Sequence, residues 1–292
     1  MIRIFLFMAM MACAVSAYAA DPPAAAGDKP FTDAPPPPPP PPAPKETMRN
    51  DKPMDDNTKY YMRKEFTTKG REGSPRHEMT YFWRQPKEIE SGKTYPLVVV
   101  LHDEKGLAQA GTYLLDKDLL ASNPSFLVVP TLPFKKMWAF PAKIPEDPTL
   151  EKYAALPQGL PDVVELVEDL ANNFPVDLNR IYVVGCGDGG FGAFGAVRQY
   201  PKVFAAAIPL AGGWSQTETP KMTKVPIYAL HGEEDKTYAI GLSRNVAYYI
   251  QKFKGDVHHL GIQGLGHDCN DTRFYNKALW KWMYSQHKPE TK

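Results

Sequence analysis

The sequence carries no excess of charge, no long apolar run and very little cysteine. Lys and Arg number 34 against 33 Asp and Glu, and no basic run interleaves with aromatic residues. That balance argues against nucleic acid as a partner. The one strongly apolar stretch, 4–15, is too short to cross a bilayer, so no membrane span is expected once it is removed. Cysteine occurs only at Cys13, Cys186 and Cys269. Cys13 lies in a segment expected to be cleaved, which leaves Cys186 and Cys269 as an even pair in an export context. The glycine-rich run 185–190 lacks the Lys-Ser/Thr that a phosphate loop needs. His258 and His259, adjacent on an expected strand, point to opposite faces. Neither a metal nor a nucleotide cofactor is indicated.

What is present begins with a targeting signal. Arg3 supplies a positive start, 4–15 an apolar stretch, and Ala17-Tyr18-Ala19 a small-residue cleavage site. Residues 1–19 therefore read as a signal peptide, and the mature protein as secreted or periplasmic. An uncleaved anchor is the alternative. Lipidation at Cys13 has a poor context in Met10-Met11-Ala12. Residues 20–57 form a linker whose prolines run unbroken over 35–42. A polyproline II helix of that length rises about 3.1 Å per residue and spans roughly 25 Å. The composition favours a passive spacer that holds the domain off a surface. A ligand for a proline-binding module or a cell-envelope component is the other reading.

The remaining chain, 58–288, is long enough for one α/β domain with a sizeable core. Segments 60–67 and 77–84 are short runs of strand formers separated by the turn-rich 70–75, and read as an antiparallel pair. Residues 95–101 and 125–130 are apolar strands of the kind covered on both faces, with a helix expected over 106–120 between them. The clearest helix is 161–174. Val163, Val164, Leu166, Val167, Leu170 and Phe174 share one stripe, Glu165, Glu168 and Asp169 lie opposite, and Pro161 suits the first turn. Strands at 180–184, 203–210, 225–230 and 257–262 then alternate with helices at 191–200, 238–253 and 272–284. That alternation predicts a mostly parallel central sheet with helices on both faces, and chemistry in the loops after the strands.

Three such loops carry recognisable residues. The strand–turn–helix at 181–200 holds Gly185-Cys186-Gly187-Asp188-Gly189, which resembles the nucleophile elbow GxSxG of α/β-hydrolases with glycine at the serine position. His231-Gly232-Glu233-Glu234-Asp235 resembles the HGxxD loop that delivers the acid of a hydrolase triad. Gly264-Leu265-Gly266-His267 resembles the GxGH loop that delivers the histidine. Their order along the chain, elbow then Asp then His, is the order that this fold uses. The runs 177–185, 189–192, 200–201 and 204–213 narrow the resemblance to secreted carboxylesterases of the polyhydroxybutyrate-depolymerase and feruloyl-esterase kind. It covers about residue 81 to the last helix. The resemblance implies a triad of Ser, Asp235 and His267 with its first member replaced by Gly187.

A second departure lies in the first oxyanion loop, which starts LHG in that family and reads Leu101-His102-Asp103-Glu104 here. A carboxylate at Asp103 or Glu104 would oppose the charge that develops in an ester-hydrolysis transition state. If those side chains point to solvent, only the backbone matters. Glycine at 187 also has a physical benefit, because the elbow conformation costs about 1–3 kcal/mol for a residue with a side chain. Three substitute nucleophiles stay open: Asp188 in a register shifted by one, Cys186, and a water activated by His267. The aromatic stretch 137–140 either rims a pocket or belongs to the core. Feruloyl esterases and tannases bridge cysteines beside the catalytic Ser and His. The resemblance therefore implies a Cys186–Cys269 disulfide, with two buried thiols as the alternative. The expectation is an exported protein of carboxylesterase lineage that lacks the serine and binds a small-molecule ester or cell-envelope ligand. The alternative is a working hydrolase with an unusual nucleophile.

Overall fold

The computed structural model describes residues 60–71, 74–103, 109–133 and 135–288. The expected signal peptide, 1–19, and the proline-rich linker, 20–57, lie outside the described residues. The chain enters through a hairpin, β1 (Met62–Thr67) and β2 (Glu78–Arg84), paired antiparallel with Met62 opposite Trp83. Then follow β3 (Tyr95–Leu101), β4 (Phe126–Pro130), β5 (Val176–Cys186), β6 (Ala206–Leu210), β7 (Ile227–Gly232) and β8 (Val257–Ile262). They form one sheet in the order β1-β2-β4-β3-β5-β6-β7-β8. Every pairing from β4 to β8 is parallel, and β2 joins β4 antiparallel.

Both faces of the sheet are covered, which explains why β3 is apolar at all seven positions. Leu97, Val99 and Leu101 enter one core with Trp83, Phe126, Val163 of α3 (Leu160–Asn173), Phe194 of α4 (Asp188–Gln199) and Val246 of α5 (Gly241–Lys252). Val98 and Val100 enter the other, with Leu114 and with Leu279 and Trp280 of α6 (Lys277–Ser285). The chain reverses direction across the sheet between β3 and β5, since β3 leads to a strand on one side and β5 to a strand on the other. In an open α/β sheet that reversal opens a crevice at the carboxyl ends of the two strands.

Two expected helices are each divided, and for the same reason. In place of one helix over 106–120 there are α1 (Gln109–Tyr113) and α2 (Lys117–Ser122), with 106–108 outside the described residues. Asp116 breaks the run by accepting from Leu119 N at 2.9 Å as the N-cap of α2. At 272–284 a 3₁₀ turn, Thr272–Phe274, precedes α6, whose N-cap Asn276 accepts from Leu279 N at 2.9 Å. Two further 3₁₀ segments, Pro148–Ala155 and Gln216–Met222, carry no periodic pattern that would have announced them. Helix α4 starts at Asp188, three residues before the expected start. Its glycines serve packing rather than a turn, because a Cβ at Gly189 would strike the Leu101 carbonyl oxygen and one at Gly190 the Leu210 carbonyl oxygen. Among the described residues no helix is long and apolar enough to cross a membrane.

Candidate functional site

The site is assembled at the crevice from the ends of β3, β5, β7 and β8. Parallel pairing sets Leu101 beside Gly185, so the chain leaving β3 as His102-Asp103 runs alongside Cys186-Gly187. Gly187 has φ 57° and ψ −119°, outside the regions open to residues with side chains. Its N–H donates to Leu210 O at 3.0 Å, and its carbonyl accepts from Gly190 N and Phe191 N at 2.9 and 3.1 Å. The sharp strand-to-helix turn of an elbow is therefore complete in backbone terms, with glycine at its apex.

The residues flanking the apex are committed elsewhere. Cys186 is bonded to Cys269, with α-carbons 5.9 Å apart, so its sulfur is not a thiolate. Asp188 is buried, and its carboxylate accepts from the Tyr238 hydroxyl at 2.8 Å. The Tyr238 ring stands edge-on to His267, 5.4 Å between centroids, and edge-on to Phe191 at 4.9 Å. Tyr238 thus bridges the residue after the apex to the histidine of the β8 loop.

Asp235 and His267 meet. The turn after β7 and the loop after β8 are tied by Glu233 N to Ile262 O at 3.0 Å and Glu234 N to Leu265 O at 2.9 Å. His267 Nδ1 lies 2.7 Å from Asp235 Oδ2, while Asp235 Oδ1 accepts from Thr237 N at 2.8 Å and Tyr238 N at 2.9 Å. A carboxylate only accepts, so the His267 proton sits on Nδ1 and Nε2 is the basic nitrogen, the tautomer a general base needs. Behind Asp235 stands His231, wholly buried, which donates from Nε2 to Tyr238 O at 2.8 Å and lies 3.3 Å from Asp235 Oδ2. Its Nδ1 faces Ser243 Oγ at 2.9 Å, and Ser243 Oγ in turn faces His259 Nε2 at 2.9 Å. Burial alone would raise the pKa of Asp235. Hydrogen bonds from His231, His267 and the Tyr238 N–H outweigh it and hold the carboxyl well below the usual range. Burial, with the neighbouring His231 and Arg244, pushes His259 down to about 4.

The loop after β3 is built differently from an open anion cradle. His102 is buried and anchors the chain: Nδ1–H donates to Asp103 O at 2.7 Å, Nε2 accepts from Leu132 N at 2.9 Å, and its carbonyl accepts from Trp138 Nε1 at 2.8 Å. Asp103 is 2% exposed. The reading in which its side chain points to solvent is therefore overturned, and the chain that carries it leaves β3 alongside the elbow. Glu104 lies outside the described residues. Trp138 is wholly buried and packs edge-on against His102, which places it in the core rather than on a pocket rim. No spacing in the sequence marks Tyr238, Ser243 or His259 as neighbours of the site, and His231 stands out there only as part of a loop motif. Among the described residues no group of His, Cys, Asp and Glu is arranged to hold a metal ion.

Comparison with solved structures decides the fold. A thermostable esterase superposes with a TM-score of 0.68 at 23% identity over 79% of this chain. An acylaminoacyl peptidase from Pyrococcus horikoshii superposes with a TM-score of 0.58 at 15% identity over 80%. A ferulic acid esterase from Anaeromyces mucronatus, solved with ferulic acid, superposes with a TM-score of 0.54 at 11% identity over 78%. The chain has the α/β-hydrolase fold. It spans 64% of the esterase and 43% of the peptidase, but 91% of the ferulic acid esterase. No family model and no curated protein matches the sequence. Within the α/β-hydrolase fold the ends of β5, β7 and β8 are the positions of nucleophile, acid and histidine, and here they hold Gly187, Asp235 and His267.

Proposed function

We propose that this is an exported pseudo-hydrolase of carboxylesterase lineage, which uses the former ester site to bind a small-molecule ester or a cell-envelope ligand. The observation that carries the proposal is the pairing of a complete elbow backbone with glycine at its apex, beside an intact Asp235–His267 hydrogen bond. The base and its orienting acid are in place, and the atom they would deprotonate is missing. Asp103 takes the place of the glycine that opens the oxyanion loop in ester hydrolases, and it is buried on the strand end next to the elbow.

Of the substitute nucleophiles, Cys186 is disfavoured by its disulfide. Asp188 is disfavoured by burial and by its hydrogen bond from Tyr238. A water activated by His267 is the second reading, supported by the tautomer that Asp235 enforces. It has a ceiling, because a triad enzyme without its nucleophile retains only about 10³–10⁴-fold acceleration over water. Labelling of the purified protein with a fluorophosphonate tests the proposal against a covalent mechanism. No adduct is expected, and an adduct on Asp188 would establish an active enzyme. Residual ester hydrolysis that disappears in His267→Ala would favour the water reading.

A further inference from the structure

A furrow runs along α2 on the face of the sheet away from α4. Its larger part, a cavity of about 760 Å³, is bounded by Tyr60, by the chain leaving β2 at Arg84 and Lys87, and by α1 and α2. A second cavity of about 530 Å³, between α2 and α6, shares Tyr113 and Asp116 with it. The volume of the first suits a drug-sized small molecule. The furrow is distinct from the elbow: the Tyr113 ring stacks on Tyr275 at 4.5 Å, and the Tyr275 hydroxyl donates to Cys269 O at 2.7 Å. One aromatic pair and the disulfide thus stand between them.

The larger cavity joins an apolar body to a cationic rim. Leu115, Leu120 and Tyr113 line its body, and Arg84, Lys87 and Lys117 stand at its edge. The one lining carboxylate, Asp116, is engaged as the N-cap of α2. Among the described residues, none of the three cations forms an ion pair, and Arg84 donates to the Tyr60 carbonyl at 3.3 Å. A purely apolar occupant would strip water from these cations without replacing it, which is costly. A cationic occupant would be repelled. An amphiphile with one anionic head satisfies both parts, its body on Leu115, Leu120 and Tyr113 and its head among the three side chains.

We propose that the larger cavity of this furrow is a binding site for a free amphiphilic carboxylate, separate from the hydrolase-type site. The test is calorimetric titration of the full chain with decanoate, and with decyltrimethylammonium, which has the same tail and the opposite head charge. Decanoate is expected to bind at one site and the ammonium not to bind. Arg84→Gln and Lys117→Glu should each weaken decanoate about tenfold, as expected for a lost hydrogen bond to a charged group. Leu120→Trp, which fills the body of the cavity, should weaken it with an unchanged melting temperature. His267→Ala should bind decanoate as the parent does. The proposal is overturned if decanoate does not bind or if the ammonium binds equally well. It is also overturned if the three furrow variants fold and bind normally, if His267→Ala abolishes binding, or if only anionic phosphatidylglycerol vesicles are bound.

Discussion

The two halves of the site have fared differently. The acid–base half, Asp235 and His267 on the loops after β7 and β8, is held by a dense hydrogen-bond network. Asp235 alone accepts from His267 and two backbone N–H groups, with His231 behind it. The nucleophile half, at the end of β5, keeps its backbone turn but has no side chain at the apex. The energetic reason is an asymmetry. Removing Asp235 strands several buried donors, whereas removing a side chain from a φ of 57° relieves strain. Under the proposed function, loss of the nucleophile before the acid is the order expected, the trade of activity for stability running in the downhill direction.

The largest effect that bears on this comparison comes from the bond joining the halves. The Cys186–Cys269 disulfide closes a loop of 83 residues, and removing it as Cys186→Ala with Cys269→Ala should cost about 4 kcal/mol by loop-closure entropy. Hydrogen exchange should then show lost protection at 264–271 and little change at 185–190, because the elbow is independently fixed by Gly187 N to Leu210 O. Equal loosening of both would break the comparison. Next comes Asp235→Ala, expected to destabilise by about 3 kcal/mol in urea titration, since His267 Nδ1 and the N–H groups of Thr237 and Tyr238 lose their acceptor.

A pH titration probes the deeper layer of the same half. His259 has a folded-state pKa of about 4 against an ordinary 6.5, so between these values the unfolded chain binds the extra proton. Stability should therefore rise with pH across that window, by at most about 3 kcal/mol, and be fully present above pH 6.5. His259→Gln, which keeps a donor to Ser243, should flatten that limb of the stability profile. The smallest change belongs to the other half: Gly187→Ala should cost about 1–3 kcal/mol, the strain of the elbow alone. A cost above that of Asp235→Ala would invert the asymmetry.

Much of this arrangement was legible in the sequence because it rests on local patterns. Seven consecutive apolar residues marked β3 as covered on both faces, and the stripe on α3 marked its buried side. Asp235 and His267 were found because the loops after two expected strands, 231–235 and 264–267, resemble the HGxxD and GxGH loops of hydrolases, and the ends of β7 and β8 bring those loops together. The misses have physical causes too. Asp116 and Asn276 fall inside apolar periodic runs, and only a capping geometry shows that they restart a helix. Gly189 and Gly190 read as a turn because sequence does not show which backbone oxygens a Cβ would strike. Tyr238 meets Asp188, 50 residues earlier, and His231 meets Ser243, 12 residues later. Such contacts have no signature in spacing. Nor could burial of Asp103 be read from a strand end, where either orientation is ordinary.

The central claim is that the site keeps its general base and lacks its nucleophile, and Gly187→Ser tests it most directly. With the serine restored beside His267, hydrolysis of p-nitrophenyl butyrate should rise above the parent by about 10²-fold or more, and a fluorophosphonate should label residue 187. Adding Asp103→Gly should raise turnover further, because a buried carboxylate no longer opposes the oxyanion. If both variants fold, yet hydrolysis stays at the parental background and residue 187 resists labelling, the Asp235–His267 pair is not a waiting general base and the account is contradicted.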